Sequence, residues 1–220
     1  MRKLLRFFRE YCRNFKEIGS VVPDSKACVN SLLRKVPFDS AKVIVEFGSA
    51  SGAVTREIVK RKKPGTLFIS FEKNPHLHAP LKASTRGENV FLVNEDVFNC
   101  RKVLADVFGI KDKGVDCIVS TLPCSCLDFD GLVRRSVLPV LKENGHFVQY
   151  MHTLSLLKGF SLKRSLENHF TSLHSAFVLF NIPPALVYTC HRNGTGNGRT
   201  DKDGNDARSL TTRGTEQLLR

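Results

Sequence analysis

Five short apolar runs alternate with helix-compatible stretches between residues 42 and 150, and this alternation limits the chain to one class of fold. The runs are Lys42–Phe47 (KVIVEF), Thr66–Phe71 (TLFISF), Asn89–Val93, Val115–Ser120 (VDCIVS) and Gly145–Tyr150 (GHFVQY). Between them Gly52–Lys62, Pro75–Thr85, Cys100–Phe108 and Asp128–Leu141 suit helices, with Pro75 in a first turn where its missing N–H is tolerated. A strand that is apolar along its whole length needs cover on both faces, and helical crossovers give a parallel sheet that cover. After a further predicted helix, Phe160–Phe170, the pattern changes. Ser172–Phe180 and Ala185–His191 read as strands joined directly through Asn181-Ile182-Pro183-Pro184, an antiparallel hairpin. The prediction is an α/β protein: a Rossmann-like, seven-stranded, mostly parallel sheet with an antiparallel hairpin at its C-terminal end.

The flanks differ from this centre. Residues 2–18 (RKLLRFFREYCRNFKEI) predict an amphipathic helix. Leu4, Leu5, Phe7, Phe8, Tyr11, Cys12, Phe15 and Ile18 fall within an arc of about 160°, with Arg2, Arg6, Arg9, Arg13 and Lys16 opposite. Such a face suits either core packing or an anionic lipid surface. Gly19 stops the helix. Residues 24–36 predict a second one, capped by Asp24 or Ser25, with Val29, Leu32, Leu33 and Val36 as its stripe. Residues 193–220 are Gly/Asn/Asp/Arg-rich with little apolar content and are predicted to be a disordered tail. The expected organisation is therefore N-terminal amphipathic or lid helices (1–36), one α/β unit (37–192) and the tail (193–220).

The chain carries 34 Lys and Arg against 21 Asp and Glu, a net charge of +13. Residues 1–63 hold 15 of the bases and 6 of the acids, so the excess forms a patch or an arm. Such a chain is drawn to nucleic acid, an acidic membrane or a phosphorylated ligand. The seven cysteines show no CxxC and no zinc-type Cys/His spacing, so no metal is expected. An odd number of cysteines without a signal peptide predicts free thiols in a reducing cytosol. No uncharged apolar run approaches the ~18–20 residues of a membrane span.

Candidate site residues gather at strand ends. The first strand runs into Glu46-Phe47-Gly48-Ser49-Ala50-Ser51-Gly52. That is not the GxGxxG of a dinucleotide site. An acid followed by a Gly/Ser loop suits S-adenosylmethionine, which has no pyrophosphate and carries a cationic amino acid part; an ordinary tight turn is the alternative. Glu72 ends the second strand 20 residues after Gly52, where a ribose diol is held. Asp96 follows the third, and could bind an adenine amine or cap the next helix. Three acids at successive strand tips line one crevice. The fourth strand ends in Ser120-Thr121-Leu122-Pro123-Cys124. Adenine-N6 methylases place an amide or carboxylate and an aromatic there; here Ser120 and Cys124 stand instead.

Taken in order, these segments resemble the bacterial phospholipid N-methyltransferases, class I enzymes close to the rRNA adenine dimethylases. The matching pieces are Gly19-Ser20-Val21-Val22-Pro23, Glu46 to Gly52 (ELGPGTG in the family), Glu72 to Pro75, Val119 to Pro123, Phe147 to Tyr150 and Asn181 to Ala185. Two positions depart: Ser49 replaces the family's Pro and Ala50 its central Gly. The resemblance implies S-adenosyl-L-methionine bound by Glu46, Gly48, Ala50, Gly52, Glu72, Asp96 and Ser120. It implies methylation of the amine of phosphatidylethanolamine or its mono- or dimethyl derivatives, with Tyr150 and Ser120 orienting the amine. His152, Lys26 or an N-terminal arginine would meet the lipid phosphate. Anionic membrane lipids would be contacted through Arg2, Arg6, Arg9, Arg13, Phe7 and Phe8, placing the protein on the inner face of the cytoplasmic membrane. The alternatives are an RNA (adenine-N6) methyltransferase, and a membrane-binding protein that kept the fold without activity.

Overall fold

The computed structural model describes residues 25–123, 128–152, 156–179 and 184–192, without the side chains of 152 and 156–161. The predicted helix over 2–18, with Arg2, Arg6, Phe7, Phe8, Arg9 and Arg13, lies outside the described residues, as do the turn 181–183 and the tail. The elements are α1 (Lys26–Leu33), β1 (Val43–Phe47), α2 (Ala53–Arg61), β2 (Leu67–Phe71), α3 (Pro75–Ser84), β3 (Val90–Val93), α4 (Cys100–Phe108), β4 (Val115–Ser120), α5 (Phe129–Leu132), β5 (Leu141–His152), α6 (Leu156–His169), β6 (Ser172–Val178) and β7 (Ala185–His191).

They form one seven-stranded sheet in the order β3-β2-β1-β4-β5-β7-β6. β1 pairs in parallel with β2 and β4, and β4 with β5, while β7 is antiparallel to both β5 and β6. β6 therefore runs the same way as β5. The strand order reverses between β1 and β4, the position where open α/β sheets form a crevice beyond their C-terminal ends. The period-2 alternation of side chains divides the core. Val45, Phe47, Ile69, Phe71, Ile118 and Phe147 pack on one face with Leu104, Leu132 and Leu166. Ile44, Phe68, Cys117, Val119, Val148 and Tyr150 pack on the other with Cys28, Leu32, Leu33, Val54 and Ile58. Each large apolar side chain so buried contributes about 1.5–3 kcal/mol.

The Ser25 hydroxyl caps α1 by accepting from the Cys28 amide at 3.1 Å. Buried Cys28, Val29, Leu32 and Leu33 make α1 a core element. Its C-terminal end leads through residues 34–42 into the start of β1, so α1 begins toward the crevice end of the sheet. The Asp116 carboxylate fixes that entry, accepting from the Lys42 and Val43 amides at 2.9 Å each.

One predicted helix is corrected. Asp128–Leu141 is not a single helix: α5 passes into a turn of π-helix, Val133–Val137, and Leu141 already belongs to β5. Pro139 has no N–H to continue the helix, and Gly131 weakens its start. Cys28, Cys100, Cys117 and Cys190 are buried free thiols, and burial pushes those of Cys100, Cys117 and Cys190 upward. Among the described residues no cluster of His, Cys, Asp and Glu could hold a metal, and no helix is long and apolar enough to cross a membrane.

Candidate functional site

Beyond Phe47 the chain turns through three residues with left-handed backbone: Gly48 (φ +80°), Ala50 (φ +44°) and Gly52 (φ +78°). The loop is tied to strands on both sides. Gly48 N–H donates to the Phe71 carbonyl of β2 at 2.9 Å, and its own carbonyl accepts from Thr121 Oγ1 beyond β4 at 2.6 Å. A Cβ on Gly48 would stand 2.8 Å from Leu122 Cδ2, and one on Gly52 2.2 Å from Leu81 Cδ1. These two glycines are needed for conformation and for space. Ala50 takes the same left-handed backbone with a methyl group, at a cost of about 1–2 kcal/mol.

What holds Ala50 there is Glu72. Its Oε2 accepts from the Ala50 amide and its Oε1 from the Asn74 amide, both at 2.9 Å. The Glu72 carbonyl in turn accepts from Asn94 Nδ2 at 2.8 Å. One nearly buried carboxylate thus ties the loop after β1 to the turn after β2, and its backbone ties both to β3. Sequence reasoning gave Glu72 a ligand; in the fold its first partners are backbone amides. Each carboxylate oxygen accepts about two hydrogen bonds, so capacity remains for a diol.

Asp96 Oδ1 accepts from the Phe98 amide at 3.0 Å and caps the short 3-10 turn Val97–Asn99 before α4. Its Oδ2 faces Lys73 Nζ at 3.8 Å. The cap foreseen for it is present, and the second oxygen points to a cation at the rim.

Glu46 is fully buried. Its Oε2 accepts from Thr55 Oγ1 and Ser70 Oγ, each at 2.7 Å, while Oε1 has no partner. Burial pushes its carboxyl up to about 7, against the two hydroxyl hydrogen bonds and with a further upward push from Glu72. The nearby Ser49 hydroxyl is likewise buried and unpartnered. Thr55 and Ser70 were missed in the sequence, although Ser70 carried a signal: it is a polar residue inside an otherwise apolar strand.

Tyr150 and Ser120 do not form the pair expected of them. Ser120 is in register with Phe47 and Gln149 and shares their face. Its hydroxyl is fully buried and accepts from the Leu122 amide at 3.4 Å. Tyr150 is one residue further along β5, and strand alternation sends it to the opposite face, into the core beneath α1. His152 ends β5 opposite Ala185. Gln149 was overlooked. Its Nε2 donates to the Leu122 and Tyr150 carbonyls at 3.2 and 2.6 Å, leaving Oε1 buried without a partner. The amide absent from the tip of β4 is therefore present beside it on β5. The polar residue in FVQY was the available signal.

No family model matches the chain. It is 26% identical over 195 residues to an ornithine lipid N-methyltransferase of Singulisphaera acidiphila, covering 86% of this chain and 96% of that protein. A putative S-adenosylmethionine dependent methyltransferase from Listeria monocytogenes superposes with a TM-score of 0.58 at 10% identity, over 76% of this chain and 98% of that one. Precorrin-6y C5,15-methyltransferase from Geobacter metallireducens gives 0.57 at 20% identity, over 74% and 87%. The fold is that of a class I methyltransferase. Methyl transfer is the chemistry that the lipid-modifying relative and these structures have in common, and S-adenosyl-L-methionine is the cofactor this architecture implies. The residues fit it. The loop over 48–52 has the left-handed turns that bring backbone to a ligand, Glu72 has spare acceptor capacity for a diol, and Glu46 Oε1 is a buried acceptor without a donor.

Proposed function

We propose that this protein transfers the methyl group of S-adenosyl-L-methionine to the amine of a membrane lipid headgroup, phosphatidylethanolamine or its mono- and dimethyl derivatives, or the amine of an ornithine lipid. The observation that carries the reading is the match to a lipid N-methyltransferase along 96% of that relative's length, on a fold whose crevice suits the cofactor. The cofactor supplies an electrophilic methyl group on a sulfonium. Glu46, Gly48, Ala50, Gly52, Glu72 and Asp96 would hold it at the tips of β1 to β3.

The chain's remaining task lies with the amine. An alkylammonium loses its proton near pH 10 in water, and only the neutral form has a lone pair to attack with. Removal from water at the strand tips favours that form, and Gln149 Oε1 is a buried acceptor on β5 at the level of Ser120. Alignment of amine and methyl group supplies much of the rate in such a displacement. We read residues 37–192 as the methyltransferase unit and place the protein peripherally on the inner face of the cytoplasmic membrane, held by anionic lipid. The test offers labelled S-adenosylmethionine with anionic vesicles containing phosphatidylethanolamine, with vesicles containing ornithine lipid, and with RNA. Label in an amine lipid is the expected result. Label in RNA with none in either lipid would overturn the reading.

A further inference from the structure

Among the described residues, three buried side-chain atoms at the crevice end of the sheet have no hydrogen-bond partner: Glu46 Oε1, Ser49 Oγ and Gln149 Oε1. A buried acceptor without a donor costs the fold free energy, so each calls for a donor that arrives with a ligand. The first two lie on β1 and the loop after it, where the cofactor is held. Gln149 lies on β5, across β4 from them. Its two ends differ. Nε2 donates to the Leu122 and Tyr150 carbonyls at 3.2 and 2.6 Å and so ties down the loop beyond β4. Turning the amide over would set its oxygen against those two carbonyls, so Oε1 is fixed in place and can only accept. The donor end thus has a structural task, and the acceptor end has none. Gln149 is in register with Ser120, and Ser120 with Phe47, at the ends of the strands that flank the crevice. The Leu122 side chain packs against Gly48, the first residue of the cofactor loop, so a single residue separates Gln149 from that loop.

We propose that Gln149 Oε1 holds the acceptor amine by one of its N–H groups and so sets the direction of its lone pair. The inference rests on the amine-lipid reading and adds to it the residue that meets the amine. In the transfer, the lone pair of the neutral amine forms the N–C bond while the C–S bond breaks and leaves its electron pair on sulfur. After a first or second transfer the product ammonium gives its proton to solvent. Positive charge grows on nitrogen as the N–C bond forms, and its N–H becomes a stronger donor. The hydrogen bond to Oε1 therefore tightens in the transition state, where it accelerates the reaction. The contact depends on how many N–H groups remain. A neutral primary amine has two and a secondary amine one, whereas a neutral tertiary amine has a lone pair and no N–H. Gln149 therefore assists the first and second methylations of an amine and not the third.

The test compares Gln149→Met with wild type in the full chain. The substrates are anionic vesicles containing phosphatidylethanolamine, its monomethyl or its dimethyl derivative, and the matching series of ornithine lipid. In the variant the ratio of primary-amine to tertiary-amine rate should fall on the order of 10–100-fold, carried by kcat rather than KM. The ratio does not depend on the fraction of protein folded. A residue that only pins the loop beyond β4 would slow all three amines alike, so a ratio at its wild-type value overturns the proposal. Should the Met variant not fold, Gln149→Asn keeps the amide and draws its oxygen back by one methylene. The ratio should then fall in the same direction by a smaller factor, and a wild-type ratio there is equally fatal. A wild type that leaves the dimethyl lipid unmethylated supports the requirement for an N–H. The decision then passes to the primary amine, on which the variant should lose kcat while KM and calorimetric cofactor affinity hold; an undiminished kcat overturns the proposal. If wild type labels no amine lipid, the function reading fails and takes this proposal with it. If wild type labels one and the ratio does not move, the proposal fails alone.

Discussion

Glu46→Gln should stabilise the protein above neutral pH and flatten its pH dependence. In the fold the Glu46 carboxyl titrates at about 7, raised first of all by burial, whereas in an unfolded chain it titrates near 4.5. Between those values the folded state holds a proton that the unfolded state has released. Stability therefore falls as pH rises through this window, and the full contribution is present only below about 4.5. Each tenfold ratio of proton affinities is worth about 1.4 kcal/mol, so the gap corresponds to about 3 kcal/mol lost by pH 8. Gln keeps an oxygen for Thr55 and Ser70 and cannot ionise. Urea unfolding at pH 5, 6, 7 and 8 measures the difference: near pH 5 the two proteins should be within about 1 kcal/mol, and by pH 8 the variant should gain about 2–3 kcal/mol on wild type. A constant offset across the series would refute the reasoning, because it would mean that Glu46 does not change its protonation in this range. A bound cation should pull the same carboxyl back down, so wild-type cofactor affinity should rise from pH 6 to 8 and that of the Gln variant should not.

Ala50→Gly removes a methyl group from a left-handed backbone and should raise thermal stability by about 1 kcal/mol without loss of cofactor affinity, measured by calorimetry. Glu72→Ala should weaken cofactor binding by about 1.5–3 kcal/mol, and it should also release the Ala50 and Asn74 amides to hydrogen exchange; unchanged affinity would remove Glu72 from the site. Gly52→Ala must displace Leu81 and adopt a strained φ, and should cost about 2–3 kcal/mol in denaturant unfolding. Substituting Arg2, Arg6, Arg9 and Arg13 with Glu should release the chain from anionic liposomes in flotation while cofactor still binds, and high salt should weaken the wild-type association without abolishing it.

The fold was legible because buried strands and amphipathic helices differ in period. VDCIVS and ALVYTCH became β4 and β7 to the residue, and CRKVLADVF became α4. The helix before β5 failed because Asp128–Leu141 carries apolar residues at helical spacing while Gly131 and Pro139 act against it, and a pattern of side chains does not weigh those two backbone effects. At the site, the acids were visible from their spacing, but their partners were not. Glu72 binding the amides of Ala50 and Asn74 depends on loops meeting across strands, which no local pattern records. The Tyr150 and Ser120 error has a different source: two strands one residue out of phase send their last side chains to opposite faces, and phase between distant strands is set by the register of the sheet.

The ties between the strand tips bear on how ligand binding is apportioned between enthalpy and order. Gly48 is pinned to Phe71 and Thr121, Ala50 to Glu72, and Glu72 to Asn74 and Asn94. A floor stitched across four strands loses little conformational freedom when a ligand arrives, so binding need not be offset by ordering of the loop. Its amides should then exchange with solvent only through opening of the sheet itself, at nearly the same rate with and without cofactor. Such a pocket behaves as a rigid receptor, and selection among amines falls to the rim beyond β4 and β5.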